Sequence, residues 1–303
     1  MPFSPRPRHL WRLRTRTLPL GDRTLIMGIL NITPDSFSDG GQFLLPEAAV
    51  EHGLHILDRG AHILDIGAES TRPNATELSP AEEQARLLPV LEAIRSARPE
   101  AILSVDTYHG STARAAIDAG AEIINDVSGL TWDPSMALTL ADGGPPPGLI
   151  LMHTRGTPQV WHTLPRLDTA AVEPLVRKEL AAHLKTAQEA GIPLDRILLD
   201  PGFGFGKLGH ENYPLLAQLS ALHTLGRPLL VGLSRKGFLA HALSATHVGN
   251  TYTNSPPPVS KRLYATLAAN TAAILAGAHI IRVHDVATAI EAACVADAIL
   301  AAI

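Results

Sequence analysis

The sequence predicts a single (β/α)8 barrel of the TIM type, and three observations lead there. Eight short, β-branched apolar runs recur along the 303 residues. Each run gives way to polar or glycine-rich residues. Most are then followed by a stretch whose apolar residues return at three-to-four spacing. Continuous rather than alternating apolar runs are what strands buried on both faces require. Eight strand–helix units in succession point to one closed barrel. A doubly wound open sheet is the alternative, but it does not need all eight repeats to look alike.

In order, the strand runs are TLIMGIL (24–30), HILDIGAES (62–70), AILSVDT (101–107), AEIINDVSG (121–129), GLILMHTRG (148–156), RILLDPGFGFGK (196–207), RPLLVGLSRKG (227–237) and AHIIRVHDV (278–286). The crossover helices read as VEHGLHILDRG, ARLLPVLEAIRSA, TARAAIDAG, VEPLVRKELAAHLKTAQEAG, YPLLAQLSALHTLG, ATLAANTAAILAG and TAIEAACVADAILAAI. Several end in Gly just before the next strand, as a helix C-cap does. Residues 31–46, 70–80 and 246–258 read as loops, and 142–148 as a tight entry into the fifth strand. The proline-rich 246–258 segment reads as a surface insertion.

Composition excludes several classes. The chain carries 25 Lys and Arg against 29 Asp and Glu, a formal net charge of −4, which argues against a protein that coats nucleic acid. One cysteine, Cys294, excludes an intramolecular disulfide and a Cys-cluster metal site; its apolar helical context reads as core or interface filler. No stretch of about 20 apolar residues reads as a membrane span. The basic start, with Arg6, Arg8, Arg12, Arg14 and Arg16, lacks the apolar core of a secretory signal. Prolines at 2, 5 and 7 disfavour the amphipathic helix of a transit peptide, so a cytoplasmic location is expected. Residues 1–20 are expected to be a poorly ordered extension, and 21–303 one domain.

In a barrel of this kind chemistry sits where the strands end. Here every strand end carries residues that are costly to bury unless paired or used. They are Asn31; Asp65, Glu69, Ser70, Thr71 and Arg72; Asp106 and Thr107; Asn125 and Asp126; Met152, His153 and Arg155; Asp200; Ser234, Arg235 and Lys236; and Arg282 and His284. Asp106, Asn125 and Asp200 offer a donor–acceptor edge suited to a flat heterocycle with amino and lactam groups. Arg72, Lys236, Arg282 and His284 suit a phosphate or diphosphate. Glycines 202, 204 and 206 allow close backbone approach, but neither a dinucleotide fingerprint nor a P-loop is present. The histidines lack zinc spacing. Asn31 is a candidate single ligand for a magnesium ion shared with substrate phosphates.

Taken together, MGILNITPDSFSDGG (27–41), DIGAESTRP (65–73), SVDT (104–107), IND (124–126), LMH (151–153), DPGFGFGK (200–207), GLSRKGF (232–238) and RVHDV (282–286) resemble the dihydropteroate synthase family. The resemblance implies a cytoplasmic, homodimeric, magnesium-dependent transferase of folate biosynthesis built on one pterin-binding barrel. Such enzymes condense 6-hydroxymethyl-7,8-dihydropterin diphosphate with 4-aminobenzoate, releasing diphosphate. It implies that Asp106, Asn125, Met152, Asp200 and Lys236 hold the pterin, and that Asn31, Arg72, Arg282 and His284 hold the diphosphate, with Asn31 also on the metal. Pro34, Phe37, Thr71, Pro73, Phe205, Ser234 and Lys236 would form the aminobenzoate site, and Asp106, Lys236 and Arg282 would carry catalysis. The chain departs from the family pattern at Ala68, Asn74, Thr154 and Gly237, which touches the second loop more than the ring and diphosphate sets. A methyltransferase-type pterin barrel would share the ring-binding Asp and Asn residues but has no need of Arg282, His284 or the TPDSFSDGG loop. A catalytically silent homologue should have lost part of the cation set.

Overall fold

The computed structural model describes residues 3–32, 46–69, 77–244 and 258–303. Eight parallel strands form one sheet: β3 (Leu25–Asn31), β4 (Ile63–Gly67), β5 (Leu103–Asp106), β6 (Ile123–Asp126), β7 (Gly148–Met152), β8 (Ile197–Asp200), β9 (Leu230–Val231) and β10 (Ile280–Val283). Sheet order is β8-β7-β6-β5-β4-β3-β10-β9, and a parallel bridge between Leu199 and Leu229 joins its two ends. The alternation predicted from sequence is therefore realised as a closed barrel. The seventh strand is shorter than its apolar run because GLSRKG already turns toward the next helix.

The helices between the strands are α1 (Pro46–Asp58), α2 (Pro80–Ala97), α3 (Gly110–Asp118), α4 (Met136–Ala141), α5 (Val172–Glu189), α6 (Asn212–Ala217), α7 (Gly237–Ser244) and α8 (Leu263–Leu275), with α9 (Val286–Ala301) after β10. Their ends follow from local chemistry. Ser79 caps α2 in a reciprocal box with Glu82, and Pro80 occupies the first turn, where a missing N–H costs nothing. Beyond α8, Gly277 takes φ +104°, a conformation open to a residue without Cβ. None of the described helices is long and apolar enough to cross a membrane.

Side chains alternate along each strand, and this sorts the core into two shells. Ile26, Leu30, Leu64, Ile66, Val105, Ile124, Leu149, Leu151, Leu199 and Ile281 join the helices in one cluster. Met27, Ile63, Ile123, Ile150, Leu198, Leu230 and Ile280 form the second, at the N-terminal end of the barrel. Two residues further along those strands, on the same face, stand Asp65, Asn125, Met152, Asp200 and Arg282. The barrel interior thus changes from apolar to polar between its floor and its mouth.

One expectation is corrected here. Residues 1–20 were expected to be poorly ordered, yet β1 (His9–Arg12) and β2 (Thr17–Leu20) pair as an antiparallel hairpin. Trp11, Leu13 and Leu20 are buried in the same cluster as the floor residues, and the Trp11 indole donates to the Arg196 carbonyl at 2.8 Å. Arg6 is buried against Thr24, the Ala278 carbonyl and Asp297. The physical reason is that a barrel floor exposes apolar side chains unless something covers it, and the hairpin does so. Cys294 is also not core: it lies exposed on α9.

Candidate active site

The polar layer is built around Arg282 on β10. Its Nε donates to Asp65 Oδ2 at 2.6 Å and its Nη2 to Asp106 Oδ2 at 2.7 Å. The Asn125 carboxamide donates to the same Asp65 oxygen at 3.0 Å. Four residues from four different strands are thereby joined in one network. Asp200 anchors the opposite side: its Oδ1 accepts the Gly202 N–H at 2.7 Å, which starts the 202–206 loop. Gly202 takes φ +65°, and a side chain there would strike the His153 carbonyl.

The seventh strand's turn presents Lys236. Arg235 before it is held at φ +61°, a strained position for a residue with a side chain. That position is fixed from several directions. The Arg235 guanidinium donates to Asp285 at 3.1 and 2.8 Å, its N–H to Thr266 at 3.1 Å, and its carbonyl accepts from Arg262 at 3.0 Å. Lys236 then lies with its ammonium 4.2 Å from the centre of the Phe205 ring, which Trp161 supports edge-on at 5.2 Å. The glycine loop itself is braced from beneath by Lys207, whose buried ammonium donates to the carbonyls of Gly202, Phe205 and His153 at 2.7, 3.2 and 3.4 Å.

His284 and Ser234 form a pair across the last two strand ends. Ser234 Oγ accepts the His284 backbone N–H at 3.2 Å and lies 2.9 Å from its ring Nδ1. Ser234, which the resemblance assigns to the aminobenzoate site, thus lies against His284, which it assigns to the diphosphate. Asn31 ends β3 half-buried, its side chain making no hydrogen bond among the described residues. Pro34, Phe37, Thr71, Arg72 and Pro73 lie outside the described residues, as does Asn74.

Three comparisons bear on what this arrangement belongs to. The family described as pterin binding enzyme matches residues 27–284. The dihydropteroate synthase of Escherichia coli K12 is 43% identical over 277 residues, covering 91% of this chain and 92% of the relative. The chain belongs to the dihydropteroate synthase family. Among solved structures of that family, the Xanthomonas albilineans dihydropteroate synthase with 4-aminobenzoic acid superposes with a TM-score of 0.85 at 40% identity, covering 97% of this chain and 99% of the other. The Burkholderia cenocepacia dihydropteroate synthase complexed with 7,8-dihydropteroate gives 0.81 at 35% identity, covering 100% and 99%.

The electrostatics of this dihydropteroate synthase family member are those of charges crowded together and mostly withdrawn from solvent. Burial raises Asp106 to about 7, with Arg282 pulling it down and Asp65 and Glu83 pushing it up. Burial likewise raises Asp200 to about 6, against the Gly202 N–H and Lys236. Lys236 is lowered to about 8 by burial, opposed by Asp200. Asp106, Asp200, Lys236 and Arg282 act on one another electrostatically, and Arg282 bonds Asp106 directly. His284 is lowered to about 3 by burial and the neighbouring arginines, so its ring is neutral at pH 7.

Not every strand-end residue faces the pocket. Asp126 turns outward and accepts the N–H groups of Ser128 and Leu130 at 2.8 and 2.6 Å. His153 is fully buried against α5, its Nε2 2.8 Å from Glu179. Arg155 braces the Gly206 carbonyl at 2.9 Å. Behind Asp106 lies a second group, of which the sequence singled out only Glu69 and Thr107, as strand-end residues. Tyr108 donates to Glu69 at 2.9 Å, Thr107 donates to Glu83 at 3.0 Å, and His109 Nδ1 lies 3.0 Å from Glu83. Glu69, Glu83 and His109 bring ligand atoms within 4.8 Å of one another, a donor set able to hold a cation. Glu83, in the first turn of α2, carried no sequence signal beyond its charge. Asp65 and Lys207 did stand in the quoted motifs, but without roles.

Proposed function

We infer that the protein is a working dihydropteroate synthase. It joins 6-hydroxymethyl-7,8-dihydropterin diphosphate to 4-aminobenzoate, giving 7,8-dihydropteroate and diphosphate. The observation that carries this reading is the Asp65–Arg282–Asp106 bridge set beside Asn125, Asp200 and Lys236. It is a pocket with acceptors for ring N–H groups on one side and cations for a leaving anion on the other. Solved relatives hold 4-aminobenzoic acid and 7,8-dihydropteroate.

The ring is held by Asp106, Asn125, Asp200 and Lys236 over Met152. The methylene C–O bond breaks, and the electron pair leaves with the diphosphate. Positive charge develops on the methylene and the ring, and Asp106 meets it. A carboxylate pushed up by burial is stabilised by any cation appearing beside it, so this attraction is larger in the transition state than in the ground state. Arg282 keeps three guanidinium N–H groups beyond its two carboxylate bonds, and His284 a neutral ring nitrogen, for the departing diphosphate. The aminobenzoate nitrogen then attacks the methylene carbon and loses one proton. Phe205, with Lys236 over its face, is a flat wall suited to that aromatic ring.

Magnesium fits this site through Asn31, whose carboxamide oxygen is uncommitted among the described residues at the mouth of the barrel. When bound, the ion would neutralise part of the diphosphate charge. Arg72, Pro34, Phe37, Thr71 and Pro73 complete the proposed anion and aminobenzoate contacts. A cytoplasmic homodimer is part of the same reading; Tyr264, Val295 and Ile299, exposed on α8 and α9, support the dimer alone.

The test is diphosphate release measured with magnesium. Release only when both substrates are present supports the synthase. Equal release from the pterin diphosphate alone, or methyl transfer from methyl-tetrahydrofolate, sinks it.

A further inference from the structure

Among the described residues of the pocket, Asp65 is the one fully buried carboxylate for which the reaction above supplies no contact. It sits mid-strand on β4, with Oδ2 accepting from both Asn125 Nδ2 (3.0 Å) and Arg282 Nε (2.6 Å). Its other oxygen, Oδ1, is buried and has no partner among the described residues. An unpaired buried carboxylate oxygen is costly. Neutralising Arg282 does not explain keeping it, because Asp106 already bonds that guanidinium at 2.7 Å and Asp200 also acts on it.

What Asp65 alone does is decide which way Asn125 points. A carboxamide has a donor end and an acceptor end of nearly the same shape, and its neighbours determine which goes where. An oxygen already accepting from Arg282 can offer Asn125 only an acceptor. The amide NH2 must therefore face Asp65, and the carbonyl Oδ1 is left for the pocket. With Asn125 reversed, two oxygens would meet in a buried space, and the ring would face a donor where its own N–H groups need an acceptor.

We propose that Asp65 is a specificity-determining positioning residue, which locks the Asn125 carboxamide with its oxygen toward the substrate ring. This rests on the synthase reading of the site and adds to it the origin of ring selectivity. Asp65 touches no reacting atom. It acts through Asn125, and Arg282 keeps its place through Asp106 when Asp65 is removed.

The test measures binding of 6-hydroxymethylpterin and, separately, of inorganic diphosphate with magnesium, by calorimetry on the intact protein. Asp65→Ala should weaken the pterin roughly 10- to 100-fold, as expected when a polar recognition group is misoriented. Diphosphate binding should change by no more than about threefold. Asn125→Ala should cost a similar factor, and the double variant little more than the worse single one, because the two act as one unit. Asp65→Asn can still present an oxygen at the same place and should stay within about threefold of wild type. If Asp65→Ala does not fold, the swapped pair Asp65→Asn with Asn125→Asp serves instead. It restores one donor and one acceptor between the two positions and should bind pterin better than Asn125→Asp alone. Multiplicative losses in the double variant, or parallel losses of pterin and diphosphate binding, would overturn the proposal. Wild-type protein that binds no pterin at all would instead overturn the synthase reading.

Discussion

Asp106 carries the sharpest consequence of a charge held out of water. Its carboxyl is raised to about 7, so it is protonated below that pH and cannot meet a developing cation. Lys236, lowered to about 8, loses its charge above that pH. The kcat/KM for the pterin diphosphate should therefore rise with pH through about 7 and fall again above about 8, reporting the free enzyme. Asp106→Asn should lower kcat by about 10²- to 10³-fold and move the acid limb down toward the value of Asp200, about 6. An acid limb that stays at about 7 in this variant would assign it to another group. Most of these residues were legible in the sequence because each ends a strand run. What the runs could not convey was phase. Asn125 and Asp126 are adjacent, as are Met152 and His153, and only the first of each pair faces the pocket, while Asp126 ties down the turn at 128–130 and His153 faces a helix. A strand apolar on both faces has no polarity pattern from which to read that difference.

At the scale of elements, the hairpin of β1 and β2 and the turn that bears Lys236 show why two further features were hidden. The hairpin is four residues a side, with Trp11, Leu13 and Leu20 the buried apolar contacts it brings, among arginines that read as a loose basic tail. Its order comes from the barrel floor, a surface formed by seven other strands. Trp11→Ala should cost about 3–5 kcal/mol, read as a lower unfolding midpoint in denaturant. KM for both substrates should be unchanged, since the floor lies at the far end from the chemistry. A shifted KM would show that the two ends communicate. The turn at Arg235 is strained, and Asp285 is the ionic partner that holds it. Asp285→Ala should raise KM for the pterin substrate several-fold with little loss of stability, because relaxing a strained backbone offsets the lost ion pair. A large fall in midpoint with normal KM would reject that role.

For the whole molecule, stability and chemistry occupy opposite ends of one barrel. The floor is apolar and closed, whereas the mouth holds carboxylates and ammonium groups far from their ordinary ionisation. The net charge of −4 conceals this separation, because the cations of the mouth are outnumbered by acids elsewhere. A lysine whose folded-state value is lowered to about 8 is less favourably charged in the folded chain than in the unfolded one at neutral pH. Lys236→Met should therefore raise the melting temperature by about 2 °C or more while pterin affinity is lost. A lower melting temperature would mean that the ammonium over Phe205 contributes more to stability than its burial costs. The barrel itself was readable from eight repeated runs, since each local pattern agreed with the closed sheet. Its floor was not, because a lid formed from the opposite end of the chain leaves no local periodicity to detect.

That lid also sets an order of assembly. Residues 9–20 leave the ribosome before any strand they cover, yet the Trp11 indole bonds to residue 196 and Arg6 to residue 297. A segment synthesised ahead of the barrel thus reaches its partners for an indole and two leucines only once β10 and α9 have followed. Loops closed over nearly the full chain length are slow to form. The nascent hairpin is therefore open to chaperones and to mispairing before the barrel is complete.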